Sequence, residues 1–173
     1  MAALNERQVK EMDIDWYCLV NGVPTHIASM GGSIPAVFRD REMLRRHQDM
    51  VAQIIPFMEV RLNVELVETL TASGYDYLGN PMLCEAINEA NRNHPGFGYL
   101  NDYELPVRLF ASTFVEKARR GFRSYARREN VEGNEYVLIA EPAMANNDVF
   151  AGLGLQELEC EVRDEGATIV FER

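Results

Sequence analysis

Met58, Val60, Leu62, Val64 and Leu66 alternate with Glu59, Arg61, Asn63 and Glu65. That strict period of two predicts a long strand with one buried face, because successive side chains of an extended chain point to opposite sides. Two further apolar runs, Asp15–Val20 and Val23–Met30, flank Asn21-Gly22. Asn-Gly accepts positive φ at both central positions of a two-residue turn, so this segment reads as a β-hairpin. Pro24 marks the second strand as an edge or as a strand beginning. Tyr136–Ala140 is a compact apolar strand. Leu155–Arg163 and Ala167–Phe171 close the chain as a hairpin around Asp164-Glu165-Gly166.

Helical patterns fall between these runs. After the loop Gly31-Gly32-Ser33-Ile34-Pro35, a helix is expected from about Val37 or Asp40 to Ile54. Ser73–Gly79 is turn-rich, Asn80-Pro81 supplies the N-cap and first position of a short helix ending near Asn93, and His94–Gly98 is loop. Thr113-Phe114-Val115-Glu116 fits a capping box, which starts a helix at Phe114 that runs to about Glu129. Leu105–Ala111 has two readings, an edge strand because of Pro106 or a continuation into that helix. Residues 141–154 read as loop. Hairpins with few intervening helices predict an α+β fold: a mainly antiparallel sheet of about five to seven strands with three or so helices packed on it. The β-α-β alternation is too irregular for a doubly wound sheet. No repeat or linker interrupts residues 1–173, so one globular domain is expected, with residues 1–12 a loosely packed N-terminal helix.

Composition narrows the function classes. The 173 residues are 47% apolar and 25% charged, ordinary globular proportions able to form a core. A net charge of −10 argues against broad nucleic-acid or anionic-membrane binding, since both want a positive surface. No apolar run is long enough for a membrane span and the first twelve residues have no apolar leader core, so a cytoplasmic protein is expected. Cys18, Cys84 and Cys160 include no Cys-x-x-Cys pair, which removes a zinc ribbon or redox dithiol and leaves buried or incidental thiols. His26, His47 and His94 show no metal-ligand spacing, so neither metal nor cofactor is implied.

Lys117–Arg128 is the most unusual segment: Lys117, Arg119, Arg120, Arg123, Arg127 and Arg128 with no acid among them. Wound as a helix, it places Arg119, Arg120, Arg123 and Arg127 in one stripe opposite Phe114, Val115, Ala118, Phe122 and Tyr125. Such a stripe repels itself unless something anionic faces it, and the protein's own carboxylates are the plain source. It is otherwise an interaction surface, for a second subunit, a phosphate-bearing ligand, a nucleic-acid strand or a membrane surface. Gly31, Gly32 and Ser33 can present backbone N–H groups to an anion ahead of a helix, with Arg41 and Arg45 downstream, although two glycines also serve any tight turn. His47 falls on the apolar stripe of its helix, where a hydrogen-bonded core histidine is the ordinary case. Pairing across Asn21-Gly22 sets His26 opposite Tyr17, with Cys18 on the other face, which rejects a Cys–His dyad. Tyr99–Glu104 gathers two tyrosines and two acids in a loop.

Three functional expectations follow. The first is a module that binds a protein partner or associates with itself, its separated basic and acidic surfaces steering the encounter; a separate reading, from the excess of acid outside Lys117–Arg128, is an acidic protein that neutralises a basic partner in a salt-sensitive way. The alternative is a small enzyme or sensor that holds a phosphate- or carboxylate-bearing molecule at Gly31-Gly32-Ser33 with Arg41 and Arg45. Whether the chain performs chemistry is left open by the sequence.

Overall fold

A computed structural model describes residues 3–63, 66, 105–128, 134–144 and 148–171. The expected turn, helix and loops between Ser73 and Glu104, with Cys84 and His94, lie outside them. Three helices, α1 (Glu6–Glu11), α2 (Arg41–Ala52) and α3 (Leu105–Arg119), accompany seven strands among the described residues. The strands are β1 (Asp15–Val20), β2 (Val23–Ala28), β3 (Val60–Leu62), β4 (Arg123–Arg127), β5 (Glu135–Pro142), β6 (Glu161–Arg163) and β7 (Thr168–Val170).

The class is α+β, with one correction: the sheet is mixed rather than mainly antiparallel. Its order is β1-β2-β4-β5-β7-β6, and β2 and β4 run parallel. The cause lies in β4, whose residues read as helix in the sequence. Gly121 ends α3: at φ +100° it lets its N–H reach Ala118 and the Phe122 N–H reach Lys117, a Schellman closure. Arg123–Arg127 then leaves in extended form and enters the sheet, so the helix expected over Phe114–Glu129 is instead Leu105–Arg119 followed by a strand. Pro106 sits in the first turn of α3, where its missing N–H costs nothing, and the helical reading of Leu105–Ala111 is the correct one.

The β1–β2 hairpin has the expected register, from Asp15 opposite Ala28 to Val20 opposite Val23, with Asn21 and Gly22 both at positive φ. Pro24 lies ahead of the β2–β4 ladder, which begins at Thr25. The strand expected over Met58–Leu66 is cut to Val60–Leu62. Asn63 stops it, its side chain accepting the Leu66 N–H as an N-cap would. β3 and β7 share one edge of β5. At the far end only Glu161–Arg163 and Thr168–Val170 form the closing hairpin.

The sheet curls, and an isolated parallel bridge between Leu19 and Glu157 joins β1 to the segment preceding β6. One face packs Trp16, Cys18, Ile27, Tyr125, Tyr136, Ile169 and Phe171 with Phe38 and Leu158. Leu4 and Val9 of the N-terminal segment join this cluster, so α1 is anchored. The other face carries Ala28, Ala126, Val137, Ile139 and Ala140 under Phe110, Phe114, Val115 and Ala118 of α3. Small residues on the sheet let the helix approach closely. No helix among the described residues is long and apolar enough to cross a membrane.

Candidate functional site

The hairpin register puts Asp15, Tyr17 and His26 on the α3 face, and the parallel pairing of β2 with β4 sets Ser124 beside His26. Ser124 Oγ lies 2.6 Å from His26 Nδ1. Asp15 Oδ1 lies 3.1 Å from Nε2, within ion-pairing reach but off the line of a good hydrogen bond. The three residue types are those of a Ser-His-Asp triad, with serine on one ring nitrogen and carboxylate on the other, but the two nitrogens are exchanged relative to that arrangement. Burial of Asp15 pushes its carboxyl up, but the neighbouring His26 and then Lys117 hold it below the usual value.

Access separates this arrangement from an active site. Ser124 and His26 have no exposed surface, and only Asp15 reaches solvent, with its side chain 31% exposed. Tyr17 lies 5.3 Å from the imidazole, ring centre to ring centre, and Phe114 of α3 lies 6.2 Å away. Burial raises the Tyr17 phenol far above its ordinary range, so it stays neutral. A serine so enclosed meets no substrate, and the network joins β1, β2 and β4 beneath α3. Cys18, on the opposite face, is buried with its thiol pushed up, as the register requires.

The four arginines of the expected stripe are divided between two elements. Arg119 ends α3 and donates to Pro56 O, and Arg120 follows in the turn. Arg120 pairs with Glu116 at 2.6 Å and donates to Val51, Ala52 and Ile54 carbonyls, capping the C-terminal end of α2. Arg123 and Arg127 belong to β4, and Arg123 pairs with Glu141 at 3.1 Å. Lys117 meets Glu116 and Arg128 meets Glu135. Burial works to raise Glu116, yet Lys117 and Arg120 hold its pKa down. The chain's own acids thus supply most of the counter-charge.

The glycine loop serves its own fold. Gly31 has φ +72°, and a Cβ there would stand 2.9 Å from Lys10 O. At Gly32 a Cβ would meet Arg127 Cδ, Ser29 O and the Tyr136 hydroxyl, each at 2.7 Å, while the Tyr136 hydroxyl donates to Ser33 O. The loop does not run directly into α2: residues 34–40 intervene with a 3-10 turn at Ala36–Phe38. Asp40 already caps α2 through the Met43 N–H. Arg41 is half-buried in the first turn and Arg45 is exposed. His47 is fully buried as expected, but neither ring nitrogen has a well-formed hydrogen bond. Burial and then Arg46 lower its pKa, against an opposing contact from the Leu153 backbone.

An open groove of about 820 Å³ lies between the Ala36–Phe38 turn and the C-terminal segment. Pro35, Val37, Phe38, Leu158, Val170 and Phe171 give it apolar walls. Along one rim, Glu157, Glu159 and Glu161 are exposed while Leu158 and Cys160 between them turn inward. Sequence reading missed this feature because its walls are distant in the chain; the Glu157–Glu161 alternation was the one local signal. A second hollow, of about 600 Å³, is lined by Met50, Ile54, Ile55, Phe57 and Leu153. No three His, Cys, Asp or Glu side chains converge as a metal would require among the described residues. No protein-family model, curated protein or solved structure matches the chain.

Proposed function

We propose that the chain is a binding module for a basic polypeptide partner and that the groove beside Ala36–Phe38 is where the partner docks. One observation carries this: an open apolar channel with exposed carboxylates along one rim. Val37, 54% exposed, forms an apolar lip, and the volume is that of a peptide or small-ligand site. A second copy of this chain is a poor occupant, since its net charge of −10 meets a rim of the same sign. Basic partners gain from both rim and walls, and binding weakens as salt screens the rim.

Hydrogen-exchange footprinting with a short polylysine tests this at low salt. Protection over residues 35–38, 157–161 and 170–171 is expected, and its disappearance at high salt. Protection confined to other segments, or none, overturns the reading. Val37→Asp then extends the negative rim while removing apolar contact, which separates the two contributions.

Anion binding at the glycine loop has one observation in its favour. Arg127, half-buried against Gly32, has no carboxylate partner among the described residues, and its Nε is shielded and unbonded. Thermal unfolding against phosphate, sulfate and carboxylates, with Arg127→Gln, Arg41→Ala and Arg45→Ala, tests it. A ligand at 100 times its Kd stabilises by about 2.7 kcal/mol, and a flat panel rejects the site.

A further inference from the structure

We infer that the groove takes an extended segment whose basic residues recur at every second position, with apolar residues between them; this rests on the docking reading above. The rim sets the pattern. Glu157, Glu159 and Glu161 are exposed, Leu158 is buried and Cys160 half-buried, so the segment alternates as an extended chain does. Alternate side chains of such a chain stand about 6.7 Å apart, and a strand lying alongside repeats at the same interval. Its side chains at alternate positions therefore keep step with the three carboxylates. The intervening ones face Val37 and Val170, with Leu158 and Phe171 buried behind them.

The three glutamates are not equivalent. Glu157 is held at the hairpin tip, where its carboxylate accepts the Gly22 N–H at 3.2 Å. Glu161 is paired with Arg163, at 2.7 and 2.9 Å. Glu159 pairs with no cation among the described residues, so it is the central anchor for an incoming charge. Arg163 competes with the partner for Glu161, which makes the chain's own arginine a brake on binding. A helical partner is disfavoured, because its neighbouring side chains on one face recur at three and four positions rather than two. The charged edge strand β6 also deters nonspecific pairing by other sheets, and a basic occupant is the one that this charge admits.

Fluorescence anisotropy with three labelled heptapeptides on the intact protein tests the inference: alternating Lys-Val, the same residues with the lysines in one block, and alternating Glu-Val. The alternating basic peptide is expected to bind tightest and the acidic one not at all. Glu159→Gln is expected to weaken it about threefold and Glu159→Lys about fivefold, within the range for exposed charge pairs. Arg163→Gln is expected to tighten binding by freeing Glu161, a gain that loss of folding cannot produce. Equal binding of alternating and block peptides overturns the inference while leaving the groove a site for basic chains. Failure of all three peptides alongside an intact polylysine footprint does the same. Failure of peptides and footprint together rejects the docking reading itself.

Discussion

Two clusters of acid-bearing chemistry sit at different depths of this molecule, and each lacks what the other has. The Asp15–His26–Ser124 network has the residue types of acyl-transfer catalysis and no open surface at its serine. The groove along Glu157–Glu161 is open, and among the described residues no nucleophile–base pair accompanies its carboxylates. Geometry alone would pick the first as functional; geometry with access picks the second. The buried arrangement is better understood through the cost of isolating polar groups. Ser124 can donate to or accept from Nδ1, so the hydrogen bond forms with either tautomer of His26.

The largest way to break this contrast is to empty the buried network. His26→Leu strips Asp15 and Ser124 of their shared partner and is expected to cost about 2–4 kcal/mol in chemical denaturation. Indifference to the change would mean that the network is not structural. In the same spirit, a fluorophosphonate should leave Ser124 unlabelled, and labelling would show that α3 opens. Gly32→Ala comes next. Its methyl group meets two backbone or ring-anchored neighbours, Ser29 O and the Tyr136 hydroxyl, and about 1–3 kcal/mol should be lost in the denaturation midpoint.

Acidification sharpens the comparison further. His47 and Asp15 both have folded pKa values below their ordinary ones, so the unfolded chain binds more protons and stability falls as pH falls. For His47 the loss begins below pH 6.5 and ends at its lowered pKa; for Asp15 it begins near pH 3.8. Denaturation across pH should show two declines, the first removed by His47→Gln and the second by Asp15→Asn. The smallest effect belongs to the groove. Glu159→Gln should move stability by no more than about 0.5 kcal/mol while altering peptide affinity. A larger stability change would make Glu159 part of the framework instead.

Much of the buried network was legible from residues 15–28 alone. Asn21-Gly22 fixes the hairpin register, and that register sets His26 opposite Tyr17, two residues from Asp15, with Cys18 turned away. Ser124 was hidden because its strand carries arginines at spacings that also suit a helix. Gly121 was the local mark of the break, and the Schellman closure that uses it depends on main-chain geometry. The long strand after Met58 failed for a similar reason: Asn63 satisfies the alternating pattern as a polar residue but ends the strand as a cap. The groove had only the Glu157–Glu161 alternation as a local signature. Its walls come from residues 35–38 and 157–171, and only the curl of the sheet brings them together.

The bridge between Leu19 and Glu157 has a consequence for how the molecule comes apart. Leu19 N–H reaches Gln156 O, Leu158 N–H reaches Leu19 O, and Glu157 reaches the Gly22 N–H across 135 residues of chain. Among the described residues these few bonds turn an open ribbon into a ring with a single clasp. A clasp this small is the natural place for the ring to spring first, ahead of the ladders between β2, β4 and β5, so amide exchange at Leu19 and Leu158 should outpace that of Ile27 or Tyr125. Glu157 and Leu158 also line the groove. An occupant there would lie across the clasp like a finger on a knot, and its affinity would report how tightly the ring is closed.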